Sequence, residues 1–344
     1  MNEQIFQPEQ LPPTPDKKKK RLNIPAIFFS AVSFILLTAC IFLAVKYTKL
    51  KNQPVEALPN DIKQTLEEDG EQIILDEFKD KLSSGQTVLS LLKEYYPDNI
   101  IYVDNGRYIF AEKISTLAQN TLNKNNFDKN DNGEITYSEN GKVVSHKGID
   151  VSQFQGSIDF SKVKAAGVEY AIIRCGYRGY GSGTINEDPL FTEHIEGALQ
   201  NDIAVGVYFF TQAITKEEAV EEADYVINKI KPYNVTYPIV IDVEEILGDT
   251  YRQQNLTKDE LTDIIVAFCE RVKEKGYTPM IYGNLKCLIG SVDLTRLEDY
   301  DKWFAYYADN LYYPYQLSMW QYSDQGSIDG VNGNVDLNIS FKTW

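Results

Sequence analysis

The chain has 344 residues, of which 43% are hydrophobic and 24% charged, so it can form one large domain with smaller additions. Its formal net charge is −16, from 34 Lys and Arg residues against 50 Asp and Glu residues. Nucleic acid carries charge of the same sign, so this composition argues against a nucleic-acid partner. The chain has two histidines and four cysteines without a Cys-x-x-Cys pair, which argues against a zinc or redox site.

The N-terminal sequence predicts a membrane anchor. A polar, proline-rich tail ends in five consecutive cations, Lys17 to Arg21, and Ile24 to Val45 follow without a charge. About 20 apolar residues span a bilayer, and the positive-inside rule places the tail in the cytoplasm and the rest of the chain outside. Alternatively, Leu37-Thr38-Ala39-Cys40 resembles a lipobox, in which Cys40 is lipidated. We favour the uncleaved anchor because apolar residues continue after Cys40.

The segment after the anchor predicts a small α+β spacer without a catalytic pattern. Ile62 to Leu82 and Val88 to Tyr96 have a helical pattern. Asp104-Asn105-Gly106 and Asn140-Gly141 are typical of hairpin turns, because Asn and Gly tolerate the positive φ that these turns require.

One part of this spacer, Asp128–Glu139, matches the calcium-binding loop of an EF-hand at six positions. An EF-hand also needs a helix on each side of the loop. Here Glu139 is followed at once by Asn140-Gly141 and a β-type run. We therefore interpret the segment as a turn that enters a hairpin rather than as a calcium site.

From Gly148 onward, strand-like and helix-like segments alternate. The strand-like runs are 148–153, 170–175, 204–211, 238–244, 278–283, 302–308, 317–322 and 335–340, and the helix-like runs are 159–166, 188–201, 216–230 and 258–275. This pattern predicts an α/β fold, a modified TIM-like barrel of eight strands with helices mainly in the first five units. The predicted segments are a cytoplasmic tail (1–22), an anchor (23–46), a linker (47–59), an α+β spacer domain (60–145) and a barrel (146–344).

Carboxylates recur on the predicted barrel strands. The fourth strand ends in Asp242 and Glu244, whose two-residue spacing points both side chains to one face. Asp150 lies in the first strand and Asp336 in the last, and these strands are neighbours in a closed barrel. Clustered carboxyl groups push each other's pKa values apart, which leaves one protonated and another ionised. Such a pair is suited to glycoside hydrolysis, although carboxylates alone also form metal sites.

Aromatic and amide side chains near the predicted strand ends favour a sugar ligand, because flat rings pack against sugar faces. Some of these rings are expected to belong to the core. The candidate substrate-binding residues are Tyr208, Phe210, Tyr282, Tyr306, Trp320 and Gln321.

Several segments in chain order resemble glycoside hydrolase family 25, the Chalaropsis-type lysozymes. The resemblance covers residues 147–344 and does not reach the spacer. The segments are Lys147-Gly148-Ile149-Asp150-Val151-Ser152-Gln153-Phe154-Gln155-Gly156, Ala171-Ile172-Ile173-Arg174, Gly206-Val207-Tyr208-Phe209-Phe210, Ile241-Asp242-Val243-Glu244, Trp320-Gln321-Tyr322 and Val335-Asp336.

This resemblance implies a modified β/α barrel that cleaves peptidoglycan between N-acetylmuramic acid and N-acetylglucosamine with retention. Glu244 would be the general acid and base. Asp242 would attack the anomeric carbon or stabilise attack by the substrate's own 2-acetamido group. Asp150 and Asp336 would hold the hydrogen bonds and charges of the site, and no metal or cofactor is implied.

Two other functions are compatible with parts of this pattern. A chitinase-type barrel also uses an Asp-x-Glu pair, but it places a further Asp where this chain has Val240. A cell-wall-binding module could keep the fold and lose catalysis, against which the intact Asp242 and Glu244 argue.

Overall fold

The computed structural model describes residues 60–246 and 248–344. The predicted tail, the anchor at residues 23–46 with Cys40, and the linker lie outside the described residues. Within the described residues, no helix combines the length and hydrophobicity needed to cross a bilayer.

Helix α1 (Asn60–Ser83) confirms the first predicted helix and belongs to a compact unit that ends at Ser84. Gly85–Trp344 form a second compact unit, which contains the barrel and most of the predicted spacer. The predicted boundary at residue 146 therefore falls inside one compact unit.

Residues 88–143 of this second unit contain one α-helix, one short 3-10 helix and three hairpins. The α-helix and the strands are α2 (Val88–Tyr95), β1 (Asn99–Asp104), β2 (Arg107–Glu112), β3 (Phe127–Lys129), β4 (Ile135–Glu139) and β5 (Lys142–Val143). Both predicted hairpin turns are present: Asn105 and Gly106 join β1 to β2, Asn140 and Gly141 join β4 to β5, and all four have positive φ. The EF-hand-like segment is a hairpin, since β3 pairs with β4 across its turn.

The main sheet confirms the predicted barrel. Its strands are β6 (His146–Val151), β7 (Tyr170–Arg178), β8 (Ile185–Glu187), β9 (Ala204–Phe210), β10 (Ile239–Asp242), β11 (Pro279–Asn284), β12 (Asp301–Ala305), β13 (Met319–Gly326) and β14 (Val335–Ser340). All except β8 close into a ring, because β6 pairs with both β7 and β14. The short β8, which was not predicted, pairs with the end of β7.

The last strand runs against its neighbours. Strands β6 to β13 of the ring are parallel, whereas β14 is antiparallel to both β13 and β6. The start of β14 therefore lies at the same barrel rim as the carboxyl ends of the other strands. This reversal places Asp336 directly opposite Asp150.

Helices cover the first part of the ring. Along the described barrel they are α3 (Phe160–Ala165), α4 (Phe191–Gln200), α5 (Lys216–Ile230) and α6 (Lys258–Glu274), with a π-helix at Lys286–Ser291 after β11. Thr257 and Glu260 form a capping box at the start of α6. At α5 the box is incomplete: Thr215 accepts from the Glu218 amide, but the Glu218 carboxylate bonds Ile214 and Arg252 instead.

Two apolar layers hold the barrel. The inner layer fills the ring and includes Tyr170, Val240, Met280, Trp303 and Met319. The outer layer lies between the strands and the helices, and its members from β10 are Ile239 and Ile241. Alternate residues of one strand thus enter different layers, which explains why β10 is buried throughout. The three cysteines of this unit, Cys175, Cys269 and Cys287, are buried free thiols.

Residues 88–143 pack against the part of the barrel that extends from the π-helix after β11 through β12, β13 and β14 to β6. Phe127 contacts Trp320 edge to face, with ring centroids 5.6 Å apart. The Gln316 amide donates to the carbonyl of Ala118 at 2.8 Å. Lys147 forms an ion pair with Glu134. These contacts explain why this segment and the barrel form one compact unit.

Candidate active site

Asp242 and Glu244 lie at the barrel rim, as predicted. Asp242 is the last residue of β10 and is 5% exposed, whereas Glu244 follows the strand and is half-buried. The alternation that sends Val240 into the barrel also directs Asp242 inward. Oδ1 of Asp242 is buried without a hydrogen-bond partner. A buried carboxylate oxygen is expensive to leave unpaired, so this atom is available to a ligand.

The structure brings Asp150 and Asp336 together. They face each other across β6 and β14, and their carboxyl groups are hydrogen-bonded. The second oxygen of Asp150 accepts from the amide groups of Asn338 at 2.7 Å and Gln321 at 2.9 Å. Asn338 in turn accepts from the Trp303 indole at 2.8 Å, which fixes the amide.

Gln321 connects this pair to the tyrosines of the rim. Its carbonyl oxygen accepts from the hydroxyls of Tyr282 at 2.7 Å and Tyr307 at 2.9 Å. The Tyr282 hydroxyl also interacts with the Glu244 carboxyl group and lowers its pKa. A chain of hydrogen bonds therefore runs from Tyr282, beside Glu244, through Gln321 to Asp150.

Burial and like charge raise the pKa values of these acids. Burial, then the charges of Glu244 and Asp150, raise the pKa of Asp242, while Arg174 opposes the rise. Burial also raises the pKa of Glu244, and the Tyr282 hydroxyl partly offsets this. Burial raises the pKa of Asp150 to about 6, and burial and Asp150 raise that of Asp336 to about 9. Asp336 is thus protonated at neutral pH and donates to Asp150.

Arg174 is a site residue that the sequence reasoning did not single out, and its charge opposes the rise in the pKa of Asp242. Its Nε donates to Asp188 at 2.7 Å, and Asp188 is fully buried. One terminal guanidinium nitrogen is buried without a partner. The exposed ring of Phe154 lies against the guanidinium, 4.9 Å from ring centroid to Cζ. The sequence did offer one signal for Arg174, namely a cation within an otherwise apolar strand.

The predicted aromatic residues divide into two groups. Tyr208 and Tyr282 are in the inner layer near the acids, and Phe210 is half-buried at the end of β9 beside Asp242. Trp320 is fully buried in the outer layer against Phe127, so the prediction that it contacts substrate does not fit its position. Tyr306 also packs outward, against Phe304.

A cleft of about 620 Å³ opens beside Glu244. Its walls come from the barrel loops after β10, β11 and β12 and from α2 and β1. Tyr306 reaches this cleft at its edge, where its hydroxyl accepts from Lys93 at 3.0 Å. The site thus combines a carboxyl pair, hydroxyl and amide donors, and an open groove that admits a polymer.

The arrangement suits acid–base chemistry on a bond held between Glu244 and Asp242. Among the described residues, no group of three or more His, Cys, Asp or Glu side chains is placed to hold a metal ion. The carboxyl groups at this rim instead bond one another and neutral donors.

Comparisons with known proteins point to one family. The sequence model described as glycosyl hydrolases family 25 matches residues 149–331, about half of the chain. The autolytic lysozyme of Clostridium acetobutylicum is 28% identical over 198 residues, which cover 56% of this chain and 55% of that protein. The chain thus spans about half the length of this relative.

Solved structures give a similar result. The modular autolysin LytC from Streptococcus pneumoniae, determined with a synthetic peptidoglycan ligand, matches at a TM-score of 0.50 and 25% identity. The match covers 70% of this chain and 57% of that one. The spore cortex lytic enzyme SleM from Clostridium perfringens matches at a TM-score of 0.50 and 26% identity, covering 59% and 68% of the two chains.

Proposed function

Since the chain belongs to glycosyl hydrolases family 25, we propose that it is a lysozyme that cleaves the β-1,4 bond from N-acetylmuramic acid to N-acetylglucosamine in peptidoglycan. The observation that carries the proposal is the pair of rim carboxyl groups, Asp242 and Glu244, each with a raised pKa, beside an open cleft. Two of the matched proteins support the substrate, since one is named an autolytic lysozyme and the other holds a peptidoglycan ligand.

Glu244 acts as the general acid and then the general base. Burial raises the pKa of its carboxyl group, which favours the protonated form that a general acid needs, and this proton passes to the oxygen of the leaving sugar. Glu244 then takes a proton from the water that attacks the anomeric carbon. The Tyr282 hydroxyl, which interacts with Glu244, partly offsets the rise in its pKa.

Asp242 stabilises the positive charge that develops at the anomeric carbon. Two roles fit its unpaired Oδ1: attack on that carbon to form a glycosyl-enzyme, or acceptance of the N–H of the 2-acetamido group while the acetamido oxygen attacks. Both roles give retention. Asp150, protonated Asp336 and Gln321 hold the surrounding hydrogen bonds.

The test is digestion of purified peptidoglycan with the full-length chain, followed by mass analysis of reducing ends and NMR of the first anomer released. Reducing N-acetylmuramic acid released in the β configuration is expected. Reducing N-acetylglucosamine would point to a different glycosidase and contradict the proposal. Binding without any release would identify a catalytically silent wall-binding module.

The proposed location is the outer face of the cell membrane, with residues 23–46 as a single-pass anchor. Only the sequence pattern supports this. Cell fractionation of the full chain and of a variant without residues 1–46 tests it, with the full chain expected in the membrane fraction. Mass analysis of the membrane form distinguishes an intact N-terminus from a chain that begins at lipidated Cys40.

A further inference from the structure

The β1–β2 hairpin and α2, which lie outside the part matched by the family, are joined to the rim beside Glu244. The amide of Ile101 donates to the Tyr312 hydroxyl at 3.0 Å. Tyr102 lies against Gly290 in the π-helix, where an added Cβ would lie 2.5 Å from the tyrosine hydroxyl oxygen. The backbone at Gly290 therefore lies directly against the Tyr102 side chain, and a residue with a Cβ at this position would force the phenol to shift.

A bridging lysine connects this hairpin to the catalytic loop. Lys286 lies 2.5 Å from a carboxylate oxygen of Asp104 in β1 and 2.7 Å from one of Glu245, the neighbour of Glu244. Both carboxylates raise the pKa of Lys286. The hairpin is therefore positioned against the loop that carries the proposed acid, rather than linked to the barrel by a flexible segment.

The hairpin and α2 also form one wall of the 620 Å³ cleft that contains Glu244. Val103 and Asn105 of the hairpin and Leu89 of α2 line it, opposite Asn284 and Tyr307 of the barrel. Val103 is 47% exposed and Tyr307 is 51% exposed, so apolar surface faces the groove. Val103 lies outside the family-matched residues, whereas Tyr307 lies within them.

We propose that this wall is a glycan-binding subsite: the hairpin and α2 hold sugar residues of the peptidoglycan strand beyond the bond that Glu244 cleaves. The inference rests on the proposed function, because the occupant is the same strand. The cleft is continuous with Glu244, its volume lies in the range of sites for small organic ligands, and it combines an aromatic ring with amide groups. These are the contacts that an acetylated amino sugar requires.

The test measures binding of peptidoglycan fragments of four and eight sugars to the full-length chain carrying Glu244→Gln, so that turnover plays no part. The subsite predicts tighter binding of the longer fragment. Adding Val103→Arg, which fills the groove, should reduce that preference about tenfold. Val143→Arg is the matched control, because Val143 is 59% exposed in β5 and does not line the cleft.

Loss of the length preference in Val103→Arg and its retention in Val143→Arg, both with unchanged melting temperatures, would support the subsite. An equal preference in both variants, or no preference before Val103 is changed, would overturn it. Failure of the proposed function has a different signature. In that case the chain with Glu244 intact cleaves neither fragment, whatever the binding data show.

Discussion

Asp150 and Asp336 form a hydrogen-bonded carboxyl pair across the two antiparallel strands that close the barrel. The side-chain amides of Asn338 and Gln321 donate hydrogen bonds to Asp150 and so stabilise its negative charge. Asp336 keeps its proton. The pair therefore presents one negative charge rather than two near Asp242 and Glu244.

The first prediction concerns the effect of pH on stability. The raised pKa of Asp336, about 9 when folded, means that the unfolded chain loses this proton at lower pH than the folded chain does. The pair's contribution to stability is therefore full below the ordinary aspartate pKa and is lost as pH rises toward 9. In Asp336→Asn, the melting temperature should fall less between pH 5 and pH 9 than in the unchanged protein.

The control for this experiment is Asp329→Asn, at an exposed position between β13 and β14. It should show the same pH dependence as the unchanged protein. An unaltered pH dependence in Asp336→Asn would mean that the pair does not hold a proton in the folded state.

The second prediction is that Glu244→Gln lowers kcat on peptidoglycan by about a hundredfold or more, because the amide cannot supply the proton that the leaving oxygen needs. The melting temperature should change little, since Glu244 is only half-buried. Release of reducing ends measures the activity. Glu193→Gln, on the exposed face of α4, is the matched control and should keep full activity. Full activity in Glu244→Gln would refute its role as the acid.

The third prediction concerns Arg174, whose charge lowers the pKa of Asp242. Without that charge the pKa of Asp242 rises, so the acidic limb of the pH–rate profile should move to higher pH in Arg174→Gln. The profile of kcat/KM against pH measures this. The substitution also leaves Asp188 buried without its cation, at a cost of about 3–5 kcal/mol.

Arg174→Lys separates the two effects, because lysine keeps the charge but loses the geometry of the Nε bond to Asp188. Its acidic limb should stay near that of the unchanged protein even if stability falls. A shift of equal size in both variants would show that the charge of Arg174 does not act on Asp242.

The fourth prediction contrasts two phenylalanines. Phe154 is 78% exposed beside Arg174, so Phe154→Ala should raise KM for peptidoglycan about fivefold without changing the melting temperature. Phe127 packs against Trp320 and Phe341, so Phe127→Ala should lower the free energy of unfolding by about 2 kcal/mol. Calorimetry and steady-state kinetics on both variants measure these effects. A stability loss in Phe154→Ala together with a raised KM in Phe127→Ala would show that Phe127, not Phe154, contacts the substrate.

The acids were predictable from the sequence, but the direction of the last strand was not recognised. A run such as Val335-Asp336-Leu337-Asn338 has the same pattern whether a strand is parallel or antiparallel. Loop length carried the missing signal: only residues 327–334 separate β13 from β14, and a parallel connection needs a dozen or more residues. Short connections thus distinguish the closing strand from the seven before it.

The positions of the aromatic side chains were less predictable, because an aromatic ring can pack in a hydrophobic core as well as against a sugar. Trp320 and Gln321 are adjacent on a strand, so they point to opposite faces and cannot both line the site. The polar member faces the acids, and the indole packs outward. Tyr307 was expected within the strand-like run 302–308, but it follows β12 in a loop, where its hydroxyl donates to Gln321.

The antiparallel direction of β14 determines where this fold can accept an insertion near the acids. The connection at residues 327–334 begins and ends at the rim of the acids, since β13 arrives there and β14 departs from it. An insertion in this connection would alter the rim beside Asp336 without requiring any strand to change register. Substrate selectivity could therefore diversify at this loop while the proton chemistry is preserved.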